Sequence, residues 1–336
     1  MNTITTYRYS YDPSSKKGIC CNCGKKRFVF TIDNETKEYL PDHVGRCDRE
    51  NGCGYEYTWK QWLNESGSVC NYKPIKRIEQ VQEIDFIPKE YLTKSIDPKY
   101  YNQNFLLLYL KQIFKDEIVN FLGDEYFIGT SSSRWKGSTA FWQVDEHNRV
   151  RQCKIIPYHF GLGKRVKDLG CDFPIRRLLN GTKNLQQCFF GQHLLSKYPT
   201  KPVCVVESEK TALIASVYMP EFVWIATGGA QGCRWTDYSV YKVLKGRAAT
   251  FFPDYGFINK KSGQTCYEGW SEKVNRINEV LLGSKFKVSG TLEKIFEGKK
   301  RDDEDLADVL INIDKTGLAI TEMQYPVMWD FKISAL

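Results

Sequence analysis

Val203-Cys204-Val205-Val206-Glu207-Ser208-Glu209-Lys210-Thr211-Ala212-Leu213 is the stretch on which the fold of this chain turns. Its continuous apolar run predicts a strand buried on both faces, and the helix-forming residues from Lys210 to Val217 predict a helix directly behind it. Glu207 then falls at the carboxyl end of a buried strand, where open α/β sheets place their ligands. The same rhythm recurs downstream. Phe222 to Ala226 is a second run, ending in Thr227-Gly228-Gly229, and Ala248 to Phe252 is a third, ending in Pro253-Asp254-Tyr255-Gly256. An amphipathic stretch from Trp270 to Leu282 precedes a fourth strand at Lys285 to Leu292. Short buried strands alternating with helices predict βαβ units and a parallel sheet over residues 201–312, with 313–336 left as a tail.

Asp254 occupies the place after its strand that Glu207 occupies after its own. Two carboxylates at neighbouring strand ends suit Mg²⁺, which takes hard oxygen ligands and commonly holds phosphate in its remaining positions. The run from Lys299 to Asp308 packs basic and acidic groups together and offers Asp305 as a third carboxylate. Each acid taken alone also reads as a helix N-cap or a solvated charge.

At the other end of the chain, Cys20-Cys21-Asn22-Cys23-Gly24 and Cys47 to Cys53 supply two cysteine pairs. Four thiolates from two turns suit tetrahedral Zn²⁺, and Gly24, Gly52 and Gly54 let the backbone turn tightly beside them. Cys20, Cys23, Cys47 and Cys53 are the expected ligands, with Cys21 a spare and His43 an alternative to Cys47. Phe28 to Ile32 and Tyr39 to Val44 are the expected strands of a zinc ribbon spanning residues 1–66, followed by a linker at 67–84 that contains Pro74. Lys25, Lys26, Arg27, Arg46 and Arg49 interleave with Phe28, Phe30, Tyr55, Tyr57 and Trp59. Cations for phosphates and flat rings for bases are the means of single-strand binding.

Between these regions, residues 85–200 read as a basic mixed α+β subdomain. Apolar spacing predicts one helix from Asn104 to Leu122, closed by Gly123, and then a hairpin of Ser138 to Val144 and Val150 to Tyr158. From Ser131 to Asn180 ten Lys or Arg stand against four acids, so this segment carries a surplus of six in a chain of net charge +8. Such a balance favours an anionic partner. With 42% hydrophobic and 26% charged residues in 336, the composition is that of a globular protein of two or three units. The longest apolar run, Phe105 to Leu110, is too short to cross a membrane, and the polar Met1 to Lys17 fits neither a signal nor a transit peptide. A cytoplasmic location with reduced cysteines is the corresponding expectation.

The segments Val205 to Leu213, Ala226 to Gly232, Phe252 to Gly256 and Asp305-Leu306-Ala307-Asp308 together resemble the TOPRIM domain of bacterial and phage-type primases, topoisomerases and related nucleases. Joined to an N-terminal zinc ribbon, the pattern is most similar to primase-like proteins of mobile elements. Phe141 to Asp145 and Val150 to Lys154 resemble the hairpin of the basic subdomain that precedes TOPRIM in primases. The resemblance implies synthesis of short RNA primers on single-stranded DNA from nucleoside triphosphates, for mobile-element or phage replication. It implies Mg²⁺ or Mn²⁺ held by Glu207, Asp254 and Asp305, structural Zn²⁺, and template or triphosphate contacts from Arg46, Arg134, Lys154, Lys164, Arg165 and Lys210. No helicase P-loop is visible, so unwinding falls to a separate helicase. A Mg²⁺-dependent nuclease and a non-catalytic single-strand-binding accessory protein are the other functions this pattern admits. Two positions depart from it: Glu209 stands where primases carry Gly, and Gly256 stands where the second acid of Asp-x-Asp is expected.

Overall fold

The computed structural model describes residues 3–14, 16–49, 52–66, 75–78, 83–179, 184–230, 232–256, 258–259, 262–297 and 304–315. It divides into one unit of residues 1–82 with 258–265 and a second of 83–257 with 266–336.

In the first unit the strands are β1 Thr3–Thr6, β2 Tyr9–Tyr11, β3 Gly18–Ile19, β4 Lys26–Asp33, β5 Gly45–Cys47 and β6 Glu56–Tyr57. Helix α1 (Trp59–Glu65) follows, opened by a reciprocal cap between Thr58 and Gln61, and β7 (Ile75–Ile78) closes the series. The long strand β4 pairs antiparallel with β2, β3 and β5. Its inner face carries Phe28, which is fully buried beside Cys20 and Cys47. The expected second ribbon strand at 39–44 is instead Gly45–Cys47, preceded by a turn in which Val44 N donates to Pro41 O. Gly45 is required there, since a Cβ would lie 2.2 Å from the Val29 carbonyl across the ladder. The expected linker is only partly a linker: Ile75–Ile78 pairs antiparallel with Thr3–Thr6, while 67–74 and 79–82 lie outside the described residues.

The second unit begins with α2 (Lys89–Ser95), α3 (Phe105–Leu110) and α4 (Asp116–Glu125). A single helix was expected over 104–122, and two are found. Asn104 caps α3 by accepting from the amides of Leu106 and Leu107, and Lys115 sits in extended backbone before α4, whose first turn carries Asp116 and Glu117. Acids there favour a new helix start. Gly123 lies inside α4 rather than ending it, and the position requires glycine because the Tyr101 ring packs 2.7 Å from where a Cβ would stand.

An antiparallel sheet of β8 (Ile128–Thr130), β9 (Thr139–Val144) and β10 (Val150–Ile156) comes next, in the order β10-β9-β8. Short helices α5 (Ile175–Leu178) and α6 (Leu194–Lys197) lead to β11 (Val203–Val206), α7 (Glu209–Tyr218) and β12 (Val223–Ala226). Then follow α8 (Tyr238–Tyr241), β13 (Ala248–Phe252), α9 (Cys266–Val280), β14 (Lys285–Val288), α10 (Thr291–Ile295) and α11 (Leu306–Lys315). The last four strands form an all-parallel sheet in the order β12-β11-β13-β14. β11 and β12 are buried at every residue, as continuous apolar runs require. β14 is shorter than expected, since Thr291 starts α10.

One core runs through both sheets of this unit. Phe190 exchanges backbone hydrogen bonds with Ala226 at 2.9 and 3.0 Å, and the Tyr126 hydroxyl donates to the Trp224 carbonyl at 3.1 Å. Trp235 packs against Trp270 and Phe251, with ring centroids 4.9 and 5.4 Å apart. Among the described residues no helix is long and apolar enough to cross a membrane.

Candidate functional site

The cysteine centre is built by two tight turns. In the first, Gly24 N donates to Cys20 O at 2.8 Å, with Gly24 in the left-handed region at φ 65°; in the second, Cys53 N donates to Arg49 O at 2.8 Å. These turns and β5 bring Cys20, Cys23, Cys47 and Cys53 together, with all four sulfurs within 4.8 Å of one another. The Cys20–Cys53 and Cys23–Cys47 sulfurs are 3.8 and 3.9 Å apart. A tetrahedral ion with bonds of roughly 2.3 Å sets its ligand sulfurs about 3.8 Å apart, so the residues fit Zn²⁺. Burial pushes the Cys47 thiol up, whereas the Asn22 amide, donating to Cys53 Sγ at 3.3 Å, holds Cys53 down. Cys21 is exposed and outside the cluster, and the His43 ring packs on Tyr57 instead.

In the second unit, the parallel sheet places the acids where its strand ends require. β11 and β13 are adjacent and parallel, in register from Val203 with Ala249 to Val206 with Phe252, so Glu207 and Asp254 both follow the carboxyl end of the sheet, each half-buried. Asp305 is delivered nearby by backbone pairing: Tyr255 N donates to Glu304 O at 2.8 Å. Its carboxylate, however, caps α11. Asp305 Oδ1 accepts from Asp308 N at 3.0 Å, Asp308 Oδ2 accepts from Asp305 N at 3.2 Å, and Asp305 Oδ2 accepts from Thr211 Oγ1 at 2.9 Å. Among the described residues the cysteines are the only group of three or more His, Cys, Asp or Glu with ligating atoms that close, so Glu207, Asp254 and Asp305 do not gather as a trio.

Lys210, in the first turn of α7, has its amine 3.9 Å from Asp305 Oδ2. Burial pulls its pKa down, but Asp305, Asp308, Tyr109 and Asp254 outweigh burial and hold it above the usual lysine value. Burial also pushes Asp308 up, and the neighbouring Asp305 charge adds to it. Helix α9, whose part the sequence pattern leaves unassigned, brings two further ionisable groups within electrostatic reach of Glu207. Burial raises the Cys266 thiol to about 12, with Glu207 and Asp254 adding to the shift. Burial lowers Lys273, against the pull of Glu207. Cys266 and Lys273 are seven residues apart, on one helical face with the buried Trp270 between them. That spacing is the signal that would have found them.

The basic candidates divide. Lys164 and Arg165 are exposed on a loop closed by the Tyr158 to Arg165 bridge, with Phe160 and Leu162 at its tip also exposed. Gly163, at φ 61°, lets this loop lie on Tyr109: a Cβ would stand 2.3 Å from the ring. Arg134 is exposed and stacks on Trp135, 4.4 Å from its centroid. Arg46, in the first unit, lies over the Tyr11 ring at 4.9 Å. Lys154, expected as a template contact, is buried, its amine 3.0 Å from Glu209 Oε1 and 2.7 Å from the Gly228 carbonyl. A cation satisfied in this way does not face a ligand.

The molecule is therefore a mixed α/β protein with a zinc-ribbon-like four-cysteine centre and a parallel sheet bearing strand-end carboxylates. Residues 7–68 match a family model described as a zinc beta-ribbon finger, and residues 104–255 match a domain of unknown function, DUF6371. No curated protein matches the chain. Among solved structures it is similar to the DnaG catalytic core, at 12% identity and TM-score 0.41 over 68% of this chain and 74% of that one. It is similar to the Aquifex aeolicus primase zinc-binding and RNA polymerase domains, at 11% identity and TM-score 0.38 over 95% and 79%. The primase fragment of the bacteriophage T7 primase-helicase protein gives 12% identity and TM-score 0.37 over 94% and 100%.

Proposed function

We propose that this chain is a primase-like nucleotidyltransferase that makes short RNA primers on single-stranded DNA, within the replication of a mobile element or phage. The observation that carries the reading is the placement of Glu207 and Asp254 at the carboxyl ends of adjacent parallel strands, in a unit that also exposes Lys164 and Arg165. In this reading the parallel sheet is a TOPRIM domain, and Glu207 and Asp254 hold Mg²⁺ or Mn²⁺. When bound, the metal supplies charge stabilisation at the phosphoryl group of a nucleoside triphosphate. Two carboxylates are enough for Mg²⁺, which usually keeps waters and substrate phosphates as its other ligands. Asp305 orders the cap of α11 and offsets Lys210, and Lys164 and Arg165 offer cations to the triphosphate or template phosphates. The four cysteines hold Zn²⁺ for the ribbon, whose aromatic and basic residues suit a single strand. A separate helicase supplies unwinding.

The test is primer synthesis from labelled nucleoside triphosphates on single-stranded DNA, with Glu207→Gln as control. The substitution keeps shape and removes charge, so synthesis should vanish while DNA binding persists. Synthesis that survives Glu207→Gln would refute this site. Gly256 favours a second reading: where Asp-x-Asp would supply another acid, an exposed glycine stands. A chain that binds single-stranded DNA but neither extends nor cleaves it in Mg²⁺ or Mn²⁺ would be a non-catalytic accessory protein, and cleavage without extension would make it a nuclease.

A further inference from the structure

Lys154 belongs to β10, yet its amine serves the end of a strand in the other sheet. It donates to the Gly228 carbonyl at 2.7 Å and to Glu209 Oε1 and Oε2 at 3.0 and 3.3 Å. The two side chains are only 8% and 3% exposed, so water does not replace a lost partner. A buried ion pair is weak evidence of stability, because desolvation offsets most of the attraction. Its value must therefore be sought in what it holds.

Gly228 and Gly229 both donate their amides to the Glu207 carbonyl, at 2.9 and 3.0 Å, and the Thr227 hydroxyl closes the turn by donating to the Gly229 carbonyl at 2.8 Å. The turn 227–229 thus pins the backbone of Glu207, and Lys154 pins the turn. Gly228 adopts φ 81°, and a Cβ there would stand 3.1 Å from Glu209 Oε1, so the turn comes this close to the pair because it has no side chain. Glu209 is the first residue of α7, where a negative charge is favoured, and it is buried there as the counter-charge of Lys154.

We propose that Lys154 is a positioning residue for Glu207, acting through the Gly228 carbonyl, with Glu209 present to keep its charge in place. The inference rests on the reading of Glu207 as a metal-binding carboxylate. It also gives Glu209 a physical reason to depart from the expected glycine.

The experiment uses the full chain with its zinc and compares wild type, Lys154→Met and the double variant Lys154→Met with Glu209→Gln. Hydrogen exchange is read at the amides of Gly228 and Gly229, against β13 amides as the report of overall unfolding, and Mn²⁺ affinity is read by electron paramagnetic resonance. The double variant leaves no unpaired charge, so thermal stability should return toward wild type, and it carries the test if the single variant fails to fold. Exchange at Gly228 and Gly229 should stay about tenfold or more faster than in wild type in both variants, since the carbonyl has lost a charge-assisted donor, and Mn²⁺ binding should stay weakened. Slow exchange and full Mn²⁺ affinity in the double variant would overturn the proposal and leave the pair as charge neutralisation alone. If wild type binds no Mn²⁺, the carboxylate reading falls, and the exchange arm still decides whether Lys154 holds the turn.

Discussion

Replacing Gly163 with Ala tests whether the basic loop is held where the proposed site needs it. Gly161 and Gly163 lie on the same loop, both in the left-handed region at φ 71° and 61°. Alanine at either position meets the same backbone strain, about 1 kcal/mol. Their surroundings differ. At Gly161 the nearest atom to an added Cβ is Gln112 Nε2 at 3.5 Å, an ordinary contact, whereas at Gly163 three Tyr109 ring atoms lie at 2.3 to 2.6 Å. Overpacking of that kind costs a further ~1–3 kcal/mol, so Gly161→Ala should destabilise the second unit by about 1 kcal/mol and Gly163→Ala by about 2–4. Urea unfolding followed by tryptophan fluorescence measures both. Because Lys164 and Arg165 follow Gly163 directly, its displacement should also weaken single-stranded DNA binding, measured by fluorescence anisotropy at low salt. Combining Gly163→Ala with Tyr109→Ala should recover the overpacking term in a double-mutant cycle. Equal cost and equal DNA affinity for the two alanine variants would refute the packing of this loop on Tyr109.

Zinc should co-purify at about one ion per chain, and Cys53→Ser should release it and loosen the first unit, as metal analysis and limited proteolysis would show. Burial favours the protonated Cys47 thiol, so protons compete with the metal and zinc affinity should fall as pH falls, read by chelator competition. His193 should make the second unit less stable in acid. Its ring is buried, Nε2 lies 2.9 Å from the Glu125 carbonyl, and burial lowers its pKa below the ordinary 6.5. Its contribution is thus complete above 6.5 and lost as pH falls toward the depressed folded value, and urea midpoints between pH 7.5 and 5 should lose part of their slope in His193→Gln.

The parallel sheet was legible because its information is local. Val203 to Val206 and Ala248 to Phe252 are apolar runs ending in an acid within two residues, and strand ends can be read without knowing what packs on them. The cysteine cluster was legible for the same reason, the members of each pair lying within six residues of one another. What failed was non-local. Lys154 reads as a template contact in a basic segment, because its partner Glu209 lies 55 residues away. Strand Ile75–Ile78 reads as linker because the strand it pairs with is Thr3–Thr6. Gly123 reads as a helix stop because the sequence does not reveal that Tyr101 fills the space beside it.

Asp305 lies between these cases, since both readings of it were open in the sequence and the structure favours one. The bridge from Tyr255 to Glu304 brings it to the side of Asp254, as a compensating third carboxylate would require. Yet Oδ1 serves the α11 cap and Oδ2 serves Thr211, with Lys210 at 3.9 Å. Asparagine caps a helix about as well as aspartate, so Asp305→Asn removes the charge while leaving the cap, and Asp305→Ala removes both. If Asp305 is a cap, Asp305→Asn should bind Mn²⁺ within about threefold of wild type and keep its stability, while Asp305→Ala should lose about 1 kcal/mol in urea unfolding. If it is a metal ligand, both variants should lose Mn²⁺ binding alike, whatever happens to the helix. A loss of Mn²⁺ binding in Asp305→Asn with unchanged stability would therefore refute the cap as its main role and return it to the site beside Glu207 and Asp254.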